Sequence, residues 1–453
     1  MSERTGVEAF GYRQELRRSL SLADLLIYGL VFIGPIAPIP VFGIVFAASG
    51  GMVPLTYLVG LVAMLFTAWS YMEMARVYPM AGSVYTYSAR SLGETVGFFA
   101  GWAILLDYLL LPTLSNVVCA IALHAVVPVI PQWACVVGLL GFTTLINFLG
   151  IETAAKVNIA LLVLQILIFL AFAGAAILAL LHGVGGAHLS AAPFWNPATI
   201  SPGLILGAAS LGVLSFLGFD AISTLSEEAE GGPAAIAKAT ILSLCIAAIL
   251  FVIITYLASL FLPGRTGFAD ADAAGSAFYD IAALVGGAWL RFLVTVPGVV
   301  LGATAGSLAA QAATARLIYS MARDGRLPRS LAHVHPVRKV PERAVFLVAA
   351  INLVLGLLFV SQLELLTSMV CFGALIGFLF VNLSVIAHFR RAPHRSWLSH
   401  VASPLLGMLI TALMLWNAGV TAQLAGLVWL ALGAGVWLVQ RPRPGVSGAS
   451  GPS

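Results

Sequence analysis

Ser215-Phe216-Leu217-Gly218-Phe219-Asp220-Ala221-Ile222-Ser223-Thr224-Leu225-Ser226-Glu227-Glu228 closes an apolar run, about 204–226, of the length that spans a bilayer. The stretch combines a glycine-flanked break with an aspartate and, at its end, paired glutamates. A broken helix frees backbone polar groups, and inside lipid these survive only where they line a protein-enclosed cavity. Acids at that depth are costly too, and mark a pathway or a binding site. A helix of this kind points to transport.

Outward from it, the whole chain reads as membrane protein. Sixty per cent of the 453 residues are hydrophobic and 9% are charged, where a soluble domain carries about a quarter charged residues. Mean hydropathy is +1.03. Windows of about 19 residues give twelve candidate spans: 22–47, 53–74, 96–125, 132–150, 157–182, 204–226, 238–262, 284–320, 344–361, 364–389, 400–419 and 421–439. The segment 284–320 predicts a helix that leaves the membrane before its end.

Arginine and lysine orient the bundle. With the N terminus in the cytoplasm, twelve spans place 1–21, 75–95, 151–156, 227–238, 316–343, 390–399 and 440–453 inside. Of the 22 basic residues, all but Arg265 and Arg291 fall on those segments, the asymmetry of the positive-inside rule. An even span count with both termini cytoplasmic follows. The formal charge of +4 therefore tracks the inner leaflet and does not point to nucleic acid. The Arg-rich N terminus runs straight into a full-length span and lacks the small-residue site of a cleavable signal.

Cys119, Cys135, Cys245 and Cys371 lie in apolar segments without a CxxC pair and read as buried hydrophobes. No histidine spacing suggests a metal site, and no HExxH or clustered aspartate motif suggests an intramembrane enzyme. Neither catalytic residues, metal ligands nor a cofactor are expected.

The first span contains a second break, Ile33-Gly34-Pro35-Ile36-Ala37-Pro38-Ile39-Pro40. Each proline removes an amide donor and clashes one turn back, so no continuous helix crosses it. Spans one and six are five apart, and paired interruptions at matched positions are the sequence mark of a transporter built on an inverted repeat. The predicted organisation is a cytoplasmic segment 1–21, five-helix repeats at 22–182 and 204–389, added helices at 400–439, and a cytoplasmic tail 440–453.

Several motifs are shared with a known family. Met80-Ala81-Gly82-Ser83-Val84-Tyr85-Thr86-Tyr87 follows span two; Gly101-Trp102 and Leu105-Leu106-Asp107-Tyr108-Leu109-Leu110-Leu111-Pro112 lie in span three. Ser215–Ala221, Thr224–Glu228, Arg316–Tyr319, Met321–Asp324 and Phe380–Val385 continue the pattern. From about residue 20 to 440 the chain resembles the amino acid–polyamine–organocation transporter superfamily, and within it the bacterial putrescine importers. The resemblance implies an all-α bundle in the cytoplasmic membrane of a bacterium, with substrate held near midplane between the broken helices and helices three, eight and ten. It carries Gly34, Pro35, Ile36 and Ala37, with Ser215, Phe216, Gly218 and Phe219, into that site. The half-helix ends there would offer partial charges to a substrate carboxylate or ammonium, and Phe216 and Phe219 would supply apolar or cation–π walls.

The acids can be placed without the resemblance. Asp107 sits about ten residues into span three, close to mid-membrane at roughly 1.5 Å per residue, with Tyr108 beside it. It is either a partner for another polar group or a site carboxylate that faces a cation or carries a proton. Asp220, Thr224 and Glu227 share one α-helical face by their i, i+4, i+7 spacing, and Asp220 at the break is a site candidate. Glu227 and Glu228 fall towards the cytoplasm, as coupling groups, an inner gate or charge contacts; Glu230 reads as loop.

Two positions depart from relatives. Many amino-acid transporters of the superfamily carry a lysine on span five that is proposed to take part in proton coupling. By its spacing from Asn147 and Gly150 that position here is Gln165, which cannot cycle a proton; putrescine importers also have glutamine there. After the span-one break those importers are expected to carry an acid, where this chain has Pro40. The combined reading is a twelve-span secondary transporter importing putrescine or a related polyamine on a proton gradient, sodium remaining an open alternative for coupling. Its partners are a small-molecule substrate and membrane lipid, and no oligomeric state is specified. A proton-coupled neutral amino-acid permease is the alternative, ahead of a channel or a partner-dependent transport subunit.

Overall fold

The computed structural model describes residues 14–440, with Glu8 and Gly11, apart from 128, 360–361, 391, 393–394 and 417–419. Arg4, Arg13, Arg391, Arg441 and Arg443, used above for orientation, lie outside the described residues, as does the tail 441–453. Among the described residues the protein is all helical, with one isolated bridge between Leu20 and Ala229.

The helix α1 (Leu22–Ile33) begins with a reciprocal cap. Ser21 Oγ accepts from the Asp24 amide at 3.2 Å, and Asp24 Oδ2 accepts from the Ser21 amide at 2.9 Å, satisfying two donors that a helix start leaves orphaned. It stops at Gly34, whose φ of +81° suits glycine and almost nothing else. Tight turns carry the chain past the prolines, with Ala37 N donating to Gly34 O at 2.9 Å and Ile39 N to Ile36 O at 3.0 Å. The helix α2 (Phe42–Ala48) then resumes.

There follow α3 (Val53–Val77), α4 (Ser83–Leu92), α5 (Glu94–Val126), α6 (Gln132–Leu149) and α7 (Ile151–Leu181). The second half opens with α8 (Pro202–Gly212), a 3₁₀ stretch at Val213–Phe216, a reversal at Leu217–Gly218, and a second 3₁₀ helix at Phe219–Leu225. It continues through α9 (Gly232–Ser259), α10 (Ala271–Arg323), α11 (Glu342–Leu358), α12 (Leu363–Phe389), α13 (Ser403–Trp416) and α14 (Val420–Gln440).

Among the described residues nine helices are long and apolar enough to cross a membrane by length and composition. The first predicted span is not among them because its break leaves pieces of 12 and 7 residues. The ninth, α11, is 17 residues long. Many apolar side chains point outward, such as Leu164, Leu167, Leu170, Leu178 and Leu181 on α7. So wide an exposed apolar face suits hydrocarbon, not water.

Two expectations change. The helix predicted at 284–320 starts at Ala271, and Gly287 (φ 77°, ψ −168°) divides it into two helices laid end to end. More important for the site, 219–225 is 3₁₀ and not α. At three residues per turn, i and i+3 eclipse, so Asp220 aligns with Ser223 and Ser226; Thr224 and Glu227 leave its face. The physical cause is in the sequence: Ser223, Thr224 and Ser226 each donate a side-chain hydrogen bond to the carbonyl three residues back, at 2.6, 2.7 and 2.6 Å, competing with the α ladder.

The helix α5 lies at the centre, with α10 and α12 packed on it, while α3 packs on α9 and α1 on α9 and α7. Buried amide and hydroxyl groups stitch these helices together, as expected where lipid offers no hydrogen bonds. Asn382 of α12 reaches Ser70 (2.7 Å) and Thr67 (3.2 Å) of α3; Thr113 of α5 donates to Asn352 of α11 at 2.9 Å. The two breaks meet: a Cβ on Gly218 (φ +111°) would fall 2.7 Å from ring carbons of Phe32, in the last turn of α1.

Candidate functional site

Beside the second break lies an enclosed acidic centre. Asp107 on α5 and Asp220 on the 3₁₀ helix are 1% and 0% exposed and within electrostatic reach of each other. Tyr108 donates to Asp220 Oδ2 at 2.5 Å. Its own carbonyl accepts from Thr314 of α10, also at 2.5 Å. Asp107 Oδ1 and Asp220 Oδ1 make no hydrogen bond, and neither carboxyl enters an ion pair among the described residues. Close helix packing fixes Asp107: a Cβ on Gly373 of α12 would lie 2.7 Å from the Asp107 amide nitrogen.

Aromatic rings wall this centre. Tyr71 of α3 stands edge-on to Phe219 (5.9 Å between centroids), Phe378 of α12 (6.2 Å) and Tyr87 of α4 (6.2 Å), while Phe219 and Phe378 are 5.4 Å apart. The Tyr71 and Tyr87 hydroxyls are buried without a hydrogen-bond partner. Two open carboxylate oxygens, two open phenol oxygens and ring faces suit a cation, which the oxygens would coordinate and the rings attract.

Of the residues singled out from sequence, the structure thus brings Asp107, Tyr108, Phe219 and Asp220 together with Gly218. Ser215 and Phe216 face elsewhere. Ser215 Oγ lies 3.0 Å from Tyr57 OH, and the Phe216 ring packs on Phe251 (5.1 Å) and Tyr57 (5.9 Å). They anchor the end of α8 against α3 and α9. Gly34, Pro35 and Ile36 are buried at the first break, and Ala37 is half-buried. Gln165 of α7 is buried against that break, its Oε1 3.7 Å from where a Gly34 Cβ would stand, and neither amide atom makes a hydrogen bond. Pro40 is exposed. Tyr71, Tyr87 and Phe378 were not foreseen, because an aromatic residue in an apolar segment reads as packing; only their hydroxyls hint otherwise.

Towards the end of the 3₁₀ helix the acids are paired. Glu228 takes Arg316 of α10 in a two-pronged grip, Nε at 2.8 Å and NH2 at 3.1 Å. Glu227 takes Arg323 likewise, at 2.9 and 3.1 Å, and also accepts from the Ala81 amide at 3.1 Å. Burial pushes the Glu228 carboxyl above its ordinary range, and the Arg316 guanidinium pulls the other way. An N-terminal arm is laid across the same turn. Ser19 N and Leu20 N donate to Glu228 O at 3.1 and 3.0 Å, Glu230 N donates to Leu20 O at 2.9 Å, and Gln14 Nε2 reaches Glu227 O at 2.9 Å. Glu230, expected as plain loop, is thus tied by its backbone. Arg326 pairs with Glu94, and Tyr85 donates to Asp324 at 2.8 Å.

Two broken helices that meet where Gly218 packs on Phe32, beside uncompensated buried carboxyls in a lipid-facing bundle, define a membrane carrier. The chain belongs to the amino acid permease family, whose sequence model matches residues 21–444. It is 37% identical over 438 residues to the low-affinity putrescine importer PlaP of Escherichia coli (strain K12), covering 93% of each chain. It is 28% identical over 462 residues to the branched-chain amino acid permease BcaP of Bacillus subtilis (strain 168), covering 96% of this chain and 95% of that one. Cationic amino acid transporter 4 of Mus musculus is 28% identical over 414 residues, 84% of this chain and 61% of the relative. The protein is a multi-pass inner-membrane transporter, not an enzyme.

Proposed function

We propose that this transporter is a proton-coupled importer of putrescine or a related polyamine, working by alternating access. The observation that carries this reading is the Asp107–Asp220 pair: two buried carboxyls, each with an open oxygen, and no cation among the described residues answering them. Isolated buried charge is strongly unfavourable, and a substrate that brings its own ammonium groups removes that cost. Likeness to a putrescine importer over nearly the whole chain supports the same substrate class.

In the proposed topology twelve spans, two inverted five-helix repeats and both termini in the cytoplasm accommodate the observed helices. The split of α1 from α2 corresponds to the split of α8 from the second 3₁₀ helix. Substrate and proton load from outside. The Glu227–Arg323 and Glu228–Arg316 pairs, joining the broken sixth span to α10, then part to release them inward. Gln165 cannot carry the proton, which leaves the buried carboxyls Asp107, Asp220 and Glu227 as its carriers.

A neutral amino-acid permease is the second reading, favoured by the likeness to BcaP and by the freed backbone at the breaks, which suits a zwitterion. Uptake of labelled putrescine into proteoliposomes under an imposed pH gradient, against a panel of labelled amino acids, decides between them. Saturable, protonophore-sensitive putrescine uptake supports the first reading. Amino-acid uptake with putrescine ignored overturns it.

A further inference from the structure

The polyamine reading leaves open how the protein tells a diamine from a monoamine, and the 3₁₀ helix supplies an answer. Asp220, Ser223 and Ser226 stack along one edge of it, since three residues make one turn of a 3₁₀ helix. The Ser223 hydroxyl proton is shared between the Asp220 carbonyl and Ser83 Oγ, and the Ser226 proton goes to the Ser223 carbonyl. Their oxygens therefore present lone pairs and act as acceptors. Ser83 of α4 adds another, its Oγ 2.8 Å from Ser223 Oγ. Ser83 is held at φ +49°, a left-handed conformation that a side-chain-bearing residue adopts at a cost and that tends to persist where function requires it.

Two phenols face this column. The Tyr71 hydroxyl lies within reach of Asp220 and Ser83, and the Tyr87 hydroxyl within reach of Ser223 and Ser226, but neither makes a well-aligned hydrogen bond to them. Both rings are wholly buried. A fully buried hydroxyl without a well-aligned hydrogen bond is uncommon in a folded protein and calls for an explanation. Arg316 and Arg323 do not supply one, because they are committed to Glu228 and Glu227.

We propose that Tyr71, Tyr87, Ser83 and Ser223 form a second ammonium subsite, so that a linear diammonium lies along the 3₁₀ helix with one end at Asp107 and Asp220 and the other among these hydroxyls. At a rise of about 2.0 Å per residue, Ser223 lies about 6 Å beyond Asp220, close to the nitrogen-to-nitrogen span of extended putrescine at about 6 Å. The methylenes between run past Phe219 and Phe378. The distal subsite is neutral, so it selects by hydrogen bonds and ring faces and adds no buried charge to the empty carrier. This inference rests on the polyamine reading above and specifies which end of the site discriminates.

Competition measured on the full-length protein in proteoliposomes tests it, with putrescine and butylamine as probes against wild type, Tyr87→Phe, Tyr71→Phe and Ser83→Ala. Butylamine fills the proximal end alone, so the ratio of the two inhibition constants reads the distal end. Taken within each variant, that ratio is insensitive to partial loss of folded protein. Wild type is expected to favour putrescine about tenfold or more, and Tyr87→Phe to reduce that preference severalfold by weakening putrescine while leaving butylamine unchanged. If wild type prefers putrescine and all three variants keep the same ratio, the distal subsite is wrong while the polyamine reading stands. If wild type binds neither amine, the polyamine reading itself falls, and the subsite with it.

Discussion

Tyr108 closes one oxygen of Asp220 with a 2.5 Å hydrogen bond, while the other, Oδ1, is buried without a partner. The bond fixes the plane of the carboxyl group, and with it the direction in which the open oxygen points. Tyr108 is held from behind by the Thr314 hydroxyl on its carbonyl, so α5, α10 and the broken sixth span converge on one carboxylate. Hydrogen bonds to charged groups are worth about 1.5–3 kcal/mol.

Tyr108→Phe keeps the ring and deletes the donor. The Asp220 carboxyl then loses the bond that best fixes its plane and is less well ordered when substrate binds. We expect KM for putrescine uptake to rise about tenfold, equivalent to about 1.4 kcal/mol, with the amount of protein in the membrane unchanged. Uptake kinetics normalised to purified carrier measure it; an unaltered KM shows that the bond does not orient the site.

The paired acids predict a different pattern. Arg316 and Glu228 are 5% and 1% exposed at their side chains, and removing one partner of such a pair leaves a buried unpaired charge, at a cost of about 3–5 kcal/mol. Arg316→Met alone is expected to lower the melting temperature in detergent sharply. Arg316→Met with Glu228→Met should recover most of that loss, since an apolar pair of similar volume is often neutral. Transport by the double variant should stay impaired if the pair also closes the inner side. A double variant no more stable than the single one would mean that the pair does more than neutralise charge.

How far the site could be read from sequence depended on which residue types have a bland alternative. The breaks were legible because Gly34, Pro35 and Pro38 leave a helix few options, and Gly218 sits between aromatics in a span that should not bend. Asp107 and Asp220 were legible because an acid in an apolar run has no cheap reason to be there. Tyr71, Tyr87 and Phe378 were not, since rings fill cores and membrane interfaces throughout such proteins and only burial of their hydroxyls sets these apart. The face of the 3₁₀ helix was misplaced for a third reason. Periodicity alone assumes 3.6 residues per turn, and the Ser223, Thr224 and Ser226 hydroxyls that tighten the turn are visible in sequence only to a reader who counts their bonds to carbonyls three residues back. Glu227 and Glu228 could be read as charged, but their arginine partners lie some 90 residues on, at Arg316 and Arg323, beyond any local pattern.

The close approach at Gly218 yields a further test. An alanine there meets the Phe32 ring at 2.7 Å and also faces a φ of +111°, which costs a side-chain-bearing residue about 1–3 kcal/mol. Gly218→Ala should reduce both folded yield and uptake. Adding Phe32→Leu relieves the collision but not the dihedral, so only partial recovery is expected. Full recovery would show that contact with α1, and not the turn itself, is what the glycine serves.

Asp107 separates the two readings its sequence context allowed. As a structural partner it would stabilise the bundle; as a site carboxylate it is a liability in the empty carrier, since Oδ1 is unbonded and Asp220 faces it. Functional sites commonly trade stability in this way. Asp107→Asn keeps the shape and removes the charge. If the site reading holds, the variant melts a few degrees higher than wild type in detergent, while putrescine uptake falls more than tenfold because the proximal ammonium loses its counter-charge. The thermal shift that putrescine induces should shrink in parallel. A variant that melts lower and loses transport only in proportion to its folded fraction would return Asp107 to a structural role. Among the described residues Asp220 would then be the buried carboxylate without an arginine partner that is left to the substrate.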